Sequence, residues 1–97
     1  MRVLSKRTLR EFWAKHPQAE KPLTVWYDHV TEACWENFSD VRRSFNAADQ
    51  VGDRIVFNVK GNDYRIVAYV VYGPYYRVLI KFVGTHKDYD AIDPRVV

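Results

Sequence analysis

Phe57-Asn58-Val59-Lys60-Gly61-Asn62-Asp63-Tyr64-Arg65, answered further along by Lys81-Phe82-Val83-Gly84-Thr85-His86-Lys87-Asp88-Tyr89, decides how the second half of the chain folds. Apolar and polar residues alternate on either side of Gly61-Asn62, the pattern of two half-buried strands joined by a hairpin. Read with period 2, Asn58, Lys60, Arg65 and Lys81 go to one side of a sheet, and the aliphatic and aromatic residues go to the other. Cations on a pleated surface, with His86 and Tyr89 just past the last strand, are what holding and cutting a phosphodiester backbone requires.

Working outward, Arg54 to Lys60, Tyr64 to Tyr72 and Tyr75 to Val83 are rich in Val, Ile, Tyr and Phe and read as a three-stranded meander, with joints at Gly61-Asn62 and Gly73-Pro74. Alternation turns Ile55, Phe57, Val59, Tyr64, Ile66, Ala68, Val70, Val78, Ile80 and Phe82 toward a helical layer. The opposite face receives Arg54, Val56, Asn58, Lys60, Arg65, Val67, Tyr69, Val71, Arg77, Leu79, Lys81 and Val83. That second face is apolar in its middle and cationic at its ends, so a partner is expected to cover it.

Upstream, Met1 to Leu4 reads as a short edge strand, and Ser5 offers an N-cap for a helix through His16 with Leu9, Phe12 and Trp13 on one face. Pro17 stops that helix. A second one is predicted from about Ala19 to Ala33, with Pro22 in its first turn and Leu23, Trp26, Tyr27, Val30, Ala33 and Cys34 forming its apolar stripe. Ser39 is placed to cap a short helical turn carrying Arg42 and Arg43, and Ala47-Ala48-Asp49 leads out of it. The expected fold is α+β: a short N-terminal strand and two helices packed on an antiparallel sheet whose core is the C-terminal meander.

The chain's 97 residues, 47% apolar and 15% aromatic, are expected to form one domain over 1–97 with a single core. The net charge of +3 leans toward a polyanionic partner. Its distribution says more, because between Arg54 and Lys87 six Lys or Arg residues face one acid, Asp63. Cys34 is the single cysteine, which excludes an intrachain disulfide and a thiolate metal cluster, fits a reducing cytoplasm, and is expected to be buried on its helix. Charges at Arg2, Lys6, Arg7, Arg10 and Glu11 break any secretory apolar core, and no run approaches the ~20 apolar residues of a membrane span. A cytoplasmic protein with no membrane partner is expected.

Lys6-Arg7-Thr8-Leu9-Arg10-Glu11-Phe12-Trp13, Pro22-Leu23-Thr24-Val25-Trp26-Tyr27, the Lys60-Gly61-Asn62-Asp63-Tyr64-Arg65 hairpin and the Gly84-Thr85-His86-Lys87-Asp88-Tyr89-Asp90 ending together resemble the HigB family of type II toxins, in the RelE/ParE-like superfamily. The likeness extends over nearly the whole chain. It implies a RelE-like fold, a ribosome-dependent mRNA endonuclease, and a HigA-like antitoxin encoded beside the toxin that keeps it silent. The sequence departs from the family's pattern at Asp63 and Tyr69, acidic and aromatic where the family often carries bases. Weaker backbone affinity, or a base stacked on Tyr69, are the two consequences.

The chemistry also follows from the side chains alone. RNA supplies its own nucleophile, the ribose 2′-OH, so cleavage needs a base for that proton, an acid for the 5′-oxygen and cations for the pentavalent phosphorane. No metal or small-molecule cofactor is expected, since His16, His29 and His86 are scattered and no carboxylates stand at ligand spacing. Arg65 and Lys81 are assigned to charge stabilisation. Lys60 is assigned to the neighbouring phosphate or to the base, His86 to general acid or base catalysis, and Tyr89 to stacking or proton donation. Asn58, Asn62, Tyr69, Arg77 and Lys87 complete the expected RNA-binding set, Arg77 at its periphery. His16 and His29 read as helix-surface residues, and Trp13, Trp26 and Trp35 as packing. Two other functions stay open: a non-catalytic module that binds RNA or an acidic antitoxin, and a ParE-like gyrase inhibitor. The antitoxin has two surfaces to choose from, the mixed sheet face and the helical side.

Overall fold

The computed structural model describes residues 1–97. Five strands form one sheet in the order β1-β5-β4-β3-β2, where β1 is Arg2–Leu4, β2 Asp49–Val51, β3 Arg54–Val59, β4 Tyr64–Val71 and β5 Arg77–Thr85. The predicted meander is its centre, with Asn58 opposite Arg65 and Val59 opposite Tyr64 across the first hairpin. The sheet is mixed, not antiparallel throughout: β1 lies parallel to β5, Arg2 opposite Arg77. The long helical connection between β1 and the meander makes such a parallel neighbour possible, whereas a tight turn does not. β2 was not expected. It holds one β-branched residue, Val51, and exists because Gly52-Asp53 folds it back on β3, Gly52 supplying a φ of 62°.

The helices are α1, Lys6–Lys15, α2, Glu20–Glu32, α3, Phe38–Ser44, and α4, His86–Asp90, with a single 3-10 turn at Pro17–Ala19 between the first two. Ser5 does sit at the start of α1, but its backbone is left-handed and its hydroxyl makes no capping bond. Asn37, not Ser39, caps α3 by accepting the Asp40 N–H at 3.0 Å. No helix is long and apolar enough to cross a membrane.

Leu23, Trp26 and Val30 of α2 and Leu9 of α1 are buried against Ile55, Phe57, Val59, Tyr64, Ile66, Ala68, Val78 and Ile80 of the sheet. Phe57 is the aromatic hub, its ring centre 5.3 Å from Trp26, 5.2 Å from Phe45 and 6.1 Å from Trp35. Removing such a ring costs about 3–5 kcal/mol. Cys34, expected on this stripe, is exposed. The reason is that α2 ends at Glu32 and Ala33 turns extended, with φ −82° and ψ 158°, so Cys34 leaves the helical register.

A β-bulge in β5 corrects the face assignment at its end. Ala68 pairs with Ile80 but Val67 pairs with Phe82, leaving Lys81 as the extra residue. From Phe82 onward the alternation is reversed. Phe82 shares the outer face with Val67, and Val83 packs against the core, the opposite of what strict alternation predicts.

The outer face is also less bare than expected. Val56 and Val67, both pointing away from the helical core, are 4% and 0% exposed. The chain's own C-terminal segment covers them, since α4 packs on β4 and β5 and the Arg54 guanidinium donates to the Val97 carbonyl at 3.2 and 2.9 Å. The predicted partner for this strip is therefore, in part, the end of the same polypeptide.

Candidate functional site

Asn58 and Arg65 face each other across β3 and β4 on the outer side of the sheet, next to the hairpin that joins those strands. Arg65 is half-buried, and it is held: Nη1 and Nη2 donate to the Asn62 carbonyl and side-chain oxygen at 3.3 and 3.4 Å. Its guanidinium carbon lies over the Tyr89 ring, 5.8 Å from the ring centre, within cation–π range. No carboxylate lies within ion-pairing distance of it, so its charge is available to an anion.

Tyr89 reaches this position because α4 begins immediately after β5. Thr85 accepts the Asp88 N–H and the Asp88 carboxylate accepts the Thr85 N–H, each at 3.1 Å, a reciprocal cap that starts the helix at His86. The His86 N–H donates to the Asp63 carbonyl at 3.1 Å and so ties the helix to the β3–β4 turn. Gly84, buried opposite Arg65, makes the close approach possible. A Cβ there would stand 2.6 Å from the Phe82 ring and 2.9 Å from the Asp88 side chain.

His86 is exposed, with Nδ1 3.3 Å from an Asp90 carboxylate oxygen. That pairing leaves Nε2 as the nitrogen free to exchange a proton. Asp90 was missed because the segment after Thr85 reads as a turn. The four-residue spacing of His86 and Asp90, with the Thr85-x-x-Asp88 signature, was the signal that a helix places them together.

Asn58, Arg65 and Tyr89 line one open cleft of about 370 Å3, together with Arg42 of α3 and Asp49 of β2. Lys60 stands at a neighbouring hollow of about 160 Å3 between α2 and β3, which Asn58 also borders. Its backbone φ is 53°, outside the strand, and its ammonium is 3.8 Å from the Asp63 carboxylate. Alternation therefore does not govern where Lys60 points. Lys81 sits exposed on the bulge and Lys87 exposed on α4, neither lining the cleft. Arg77 opens β5 opposite Val71, at the end of β4 remote from Arg65, roughly 20 Å along the strand. One face of the Tyr69 ring carries the Arg54 guanidinium at 5.6 Å. No group of three or more His, Cys, Asp or Glu side chains is gathered as a metal site.

The chain is 27% identical over 93 residues, covering 93% of its own length and 88% of the relative's, to the mRNA interferase toxin HigB of Escherichia coli K12. The mRNA interferases HigB of Escherichia coli O157:H7 and of Shigella flexneri are similar to the same extent. A family model described as HigB toxin, the RelE-like toxic component of a toxin–antitoxin system, matches residues 19–92. The chain belongs to the HigB toxin family.

Proposed function

We propose that this protein is an endoribonuclease that cuts messenger RNA on the ribosome and is silenced by a cognate antitoxin. The observation that carries the reading is the cleft in which Arg65 is held against Tyr89 and opposite Asn58, one helical turn from the Asp90-paired His86. The relatives named as mRNA interferases supply the substrate class.

In this reading the ribose 2′-oxygen gives its proton to a base and attacks the adjacent phosphorus. The bond to the 5′-oxygen breaks, that oxygen takes a proton, and a 2′,3′-cyclic phosphate and a 5′-hydroxyl end result. Arg65 binds the phosphorane oxygens through its fork, Asn62 and Tyr89 keeping that fork in plane. His86 moves one of the two protons through Nε2, and Lys60, Lys81 and Tyr89 are the groups available for the other proton and for the flanking phosphates. Asn58 contacts the nucleotide in the cleft. The ribosome contributes by ordering the message for in-line attack, so the isolated toxin is expected to be slow on free RNA. Production in the cytoplasm, where messages are translated, belongs to the same reading.

Induced expression of the unaltered protein and of His86→Ala, Arg65→Ala and Lys81→Ala variants, with growth and message 5′ ends followed together, tests it. New 5′ ends within translated messages are expected for the unaltered protein and not for the first two variants. Growth arrest with intact messages overturns the reading.

A further inference from the structure

The cleft beside Arg65 continues past the residues that the cleavage chemistry uses. Its lining runs across the strands in order, Arg65 on β4, Asn58 on β3, Asp49 on β2, and ends at Arg42 in the last turn of α3. From β4 to β2 is two strand spacings, about 10 Å. Arg42 thus enters the cleft from a different element than Arg65, on the far side of Asp49 in chain order across the sheet.

Arg42 is also uncommitted. Its neighbour Arg43 is paired with Asp40 at 2.9 Å, whereas Arg42 is exposed and has no carboxylate at ion-pairing distance, not even Asp49 in the same cleft. Its guanidinium carbon lies 6.0 Å from the centre of the Phe38 ring, over the ring face. Asp49 is the one acid of the lining, and its charge disfavours a phosphate beside it. A strand crossing the cleft is therefore held by its backbone at the two ends, at Arg65 and at Arg42.

We propose that Arg42 is an RNA-binding residue that grips a backbone phosphate other than the one held by Arg65, so that the message crosses the sheet from α4 toward α3. The proposal rests on the endoribonuclease reading and extends it to a residue outside the catalytic constellation.

The test is equilibrium binding of a short single-stranded RNA, its riboses 2′-O-methylated to block cleavage, across a series of salt concentrations. Arg42→Ala is expected to weaken binding roughly tenfold at low salt. It should also reduce the slope of log K against log salt by about 0.7, the value for one phosphate contact on a single strand. Arg42→Lys should keep that slope, and Arg43→Ala should behave as the unaltered protein. An unchanged slope for Arg42→Ala, or an equal loss in Arg43→Ala, overturns the assignment while leaving the nuclease intact, which message cleavage in cells would show separately. Failure of the unaltered protein both to bind this RNA and to cut messages overturns both.

Discussion

The Arg65 guanidinium carbon lies over the Tyr89 ring, 5.8 Å from its centre, joining β4 to a helix that begins only after β5 has ended. The pair couples a charge on the sheet to a group from the C-terminal segment, so neither side chain is independent of the other. Charge alone is not what Arg65 supplies. Its fork is oriented by Asn62 on one side and Tyr89 on the other, which a lysine cannot reproduce. Arg65→Ala is expected to lower message cleavage by roughly 10²–10³-fold, the range for loss of one preorganised donor. Arg65→Lys should restore only a small part, and Tyr89→Phe, which keeps the ring, should retain more activity than Tyr89→Ala. Equal activity for Arg65→Lys and the unaltered protein would remove the geometric role.

The Asp90 carboxylate at 3.3 Å from His86 Nδ1 gives a second handle. His86→Ala should lose roughly 10²–10⁴-fold in cleavage, the usual contribution of a positioned acid or base. Asp90→Asn keeps the shape but no longer favours a proton on Nδ1. A smaller loss is expected from it, confined to the cleavage rate, while RNA binding stays within twofold or so. A cleavage rate equal to that of the unaltered protein would mean that Asp90 positions nothing.

Gly84 is the point where β5, Phe82 and α4 meet. Gly84→Ala places a methyl 2.6 Å from one ring atom and 2.9 Å from the Asp88 Cβ, inside van der Waals contact. Overpacking of this kind costs about 1–3 kcal/mol. Melting should fall by about 4–8 °C per kcal/mol for a domain of this size. Hydrogen exchange should locate the loss in α4 and the end of β5, and activity should fall further than stability because Tyr89 and His86 move with the helix. Protection of α4 equal to that in the unaltered protein would contradict this packing.

Much of this was readable in the residues. The β3–β4 hairpin was, because Gly61-Asn62 punctuates two runs of opposite polarity, and so was the core, because Phe57, Ile66 and Val78 follow the pleat. Asn58 and Arg65 were placed together by the same alternation. What escaped is everything that depends on a partner element. β2 has almost no strand propensity of its own and forms only by pairing with β3. Arg42 joins the cleft from a helix that no periodicity connects to the sheet. The bulge at Lys81 adds a residue that no side chain announces, and so Phe82 and Val83 were assigned to each other's faces. α4 differs, since Thr85 and Asp88 wrote its cap into the sequence.

Tyr76 donates to the Glu36 carboxylate, and that bond, ahead of burial and the nearby charge, raises the phenol above its ordinary value of 10.0. A raised phenol stabilises the fold fully below the unfolded value of 10.0, and the contribution is lost as pH rises through the folded value. Denaturation midpoints of the unaltered protein and Tyr76→Phe should therefore differ at neutral pH and converge in strong alkali. A constant gap across that window would show that the bond does not respond to the phenol's proton.

The bulge separates two roles of Lys81, as a charge and as a spacer, and a pair of variants can distinguish them. Lys81→Ala keeps the extra residue, and because the side chain is exposed and unpaired its effect on stability should stay within about 0.5 kcal/mol. Deleting Lys81 instead makes the β4–β5 ladder regular. Phe82 would then follow Ile80 directly and still fall on the outer face opposite Val67, Val83 would stay opposite Ile66 and Gly84 opposite Arg65, so the pairing that carries α4 to Arg65 is kept and only the local kink and added twist of the bulge are lost. The deletion is expected to keep the fold and α4, seen as retained near-ultraviolet circular dichroism, with a loss of about 0.5–3 kcal/mol in stability from the altered twist. If the deleted protein lost its near-ultraviolet circular dichroism and all cleavage, the twist made by the bulge, and not the pairing of β5 with β4 alone, would be what positions the site.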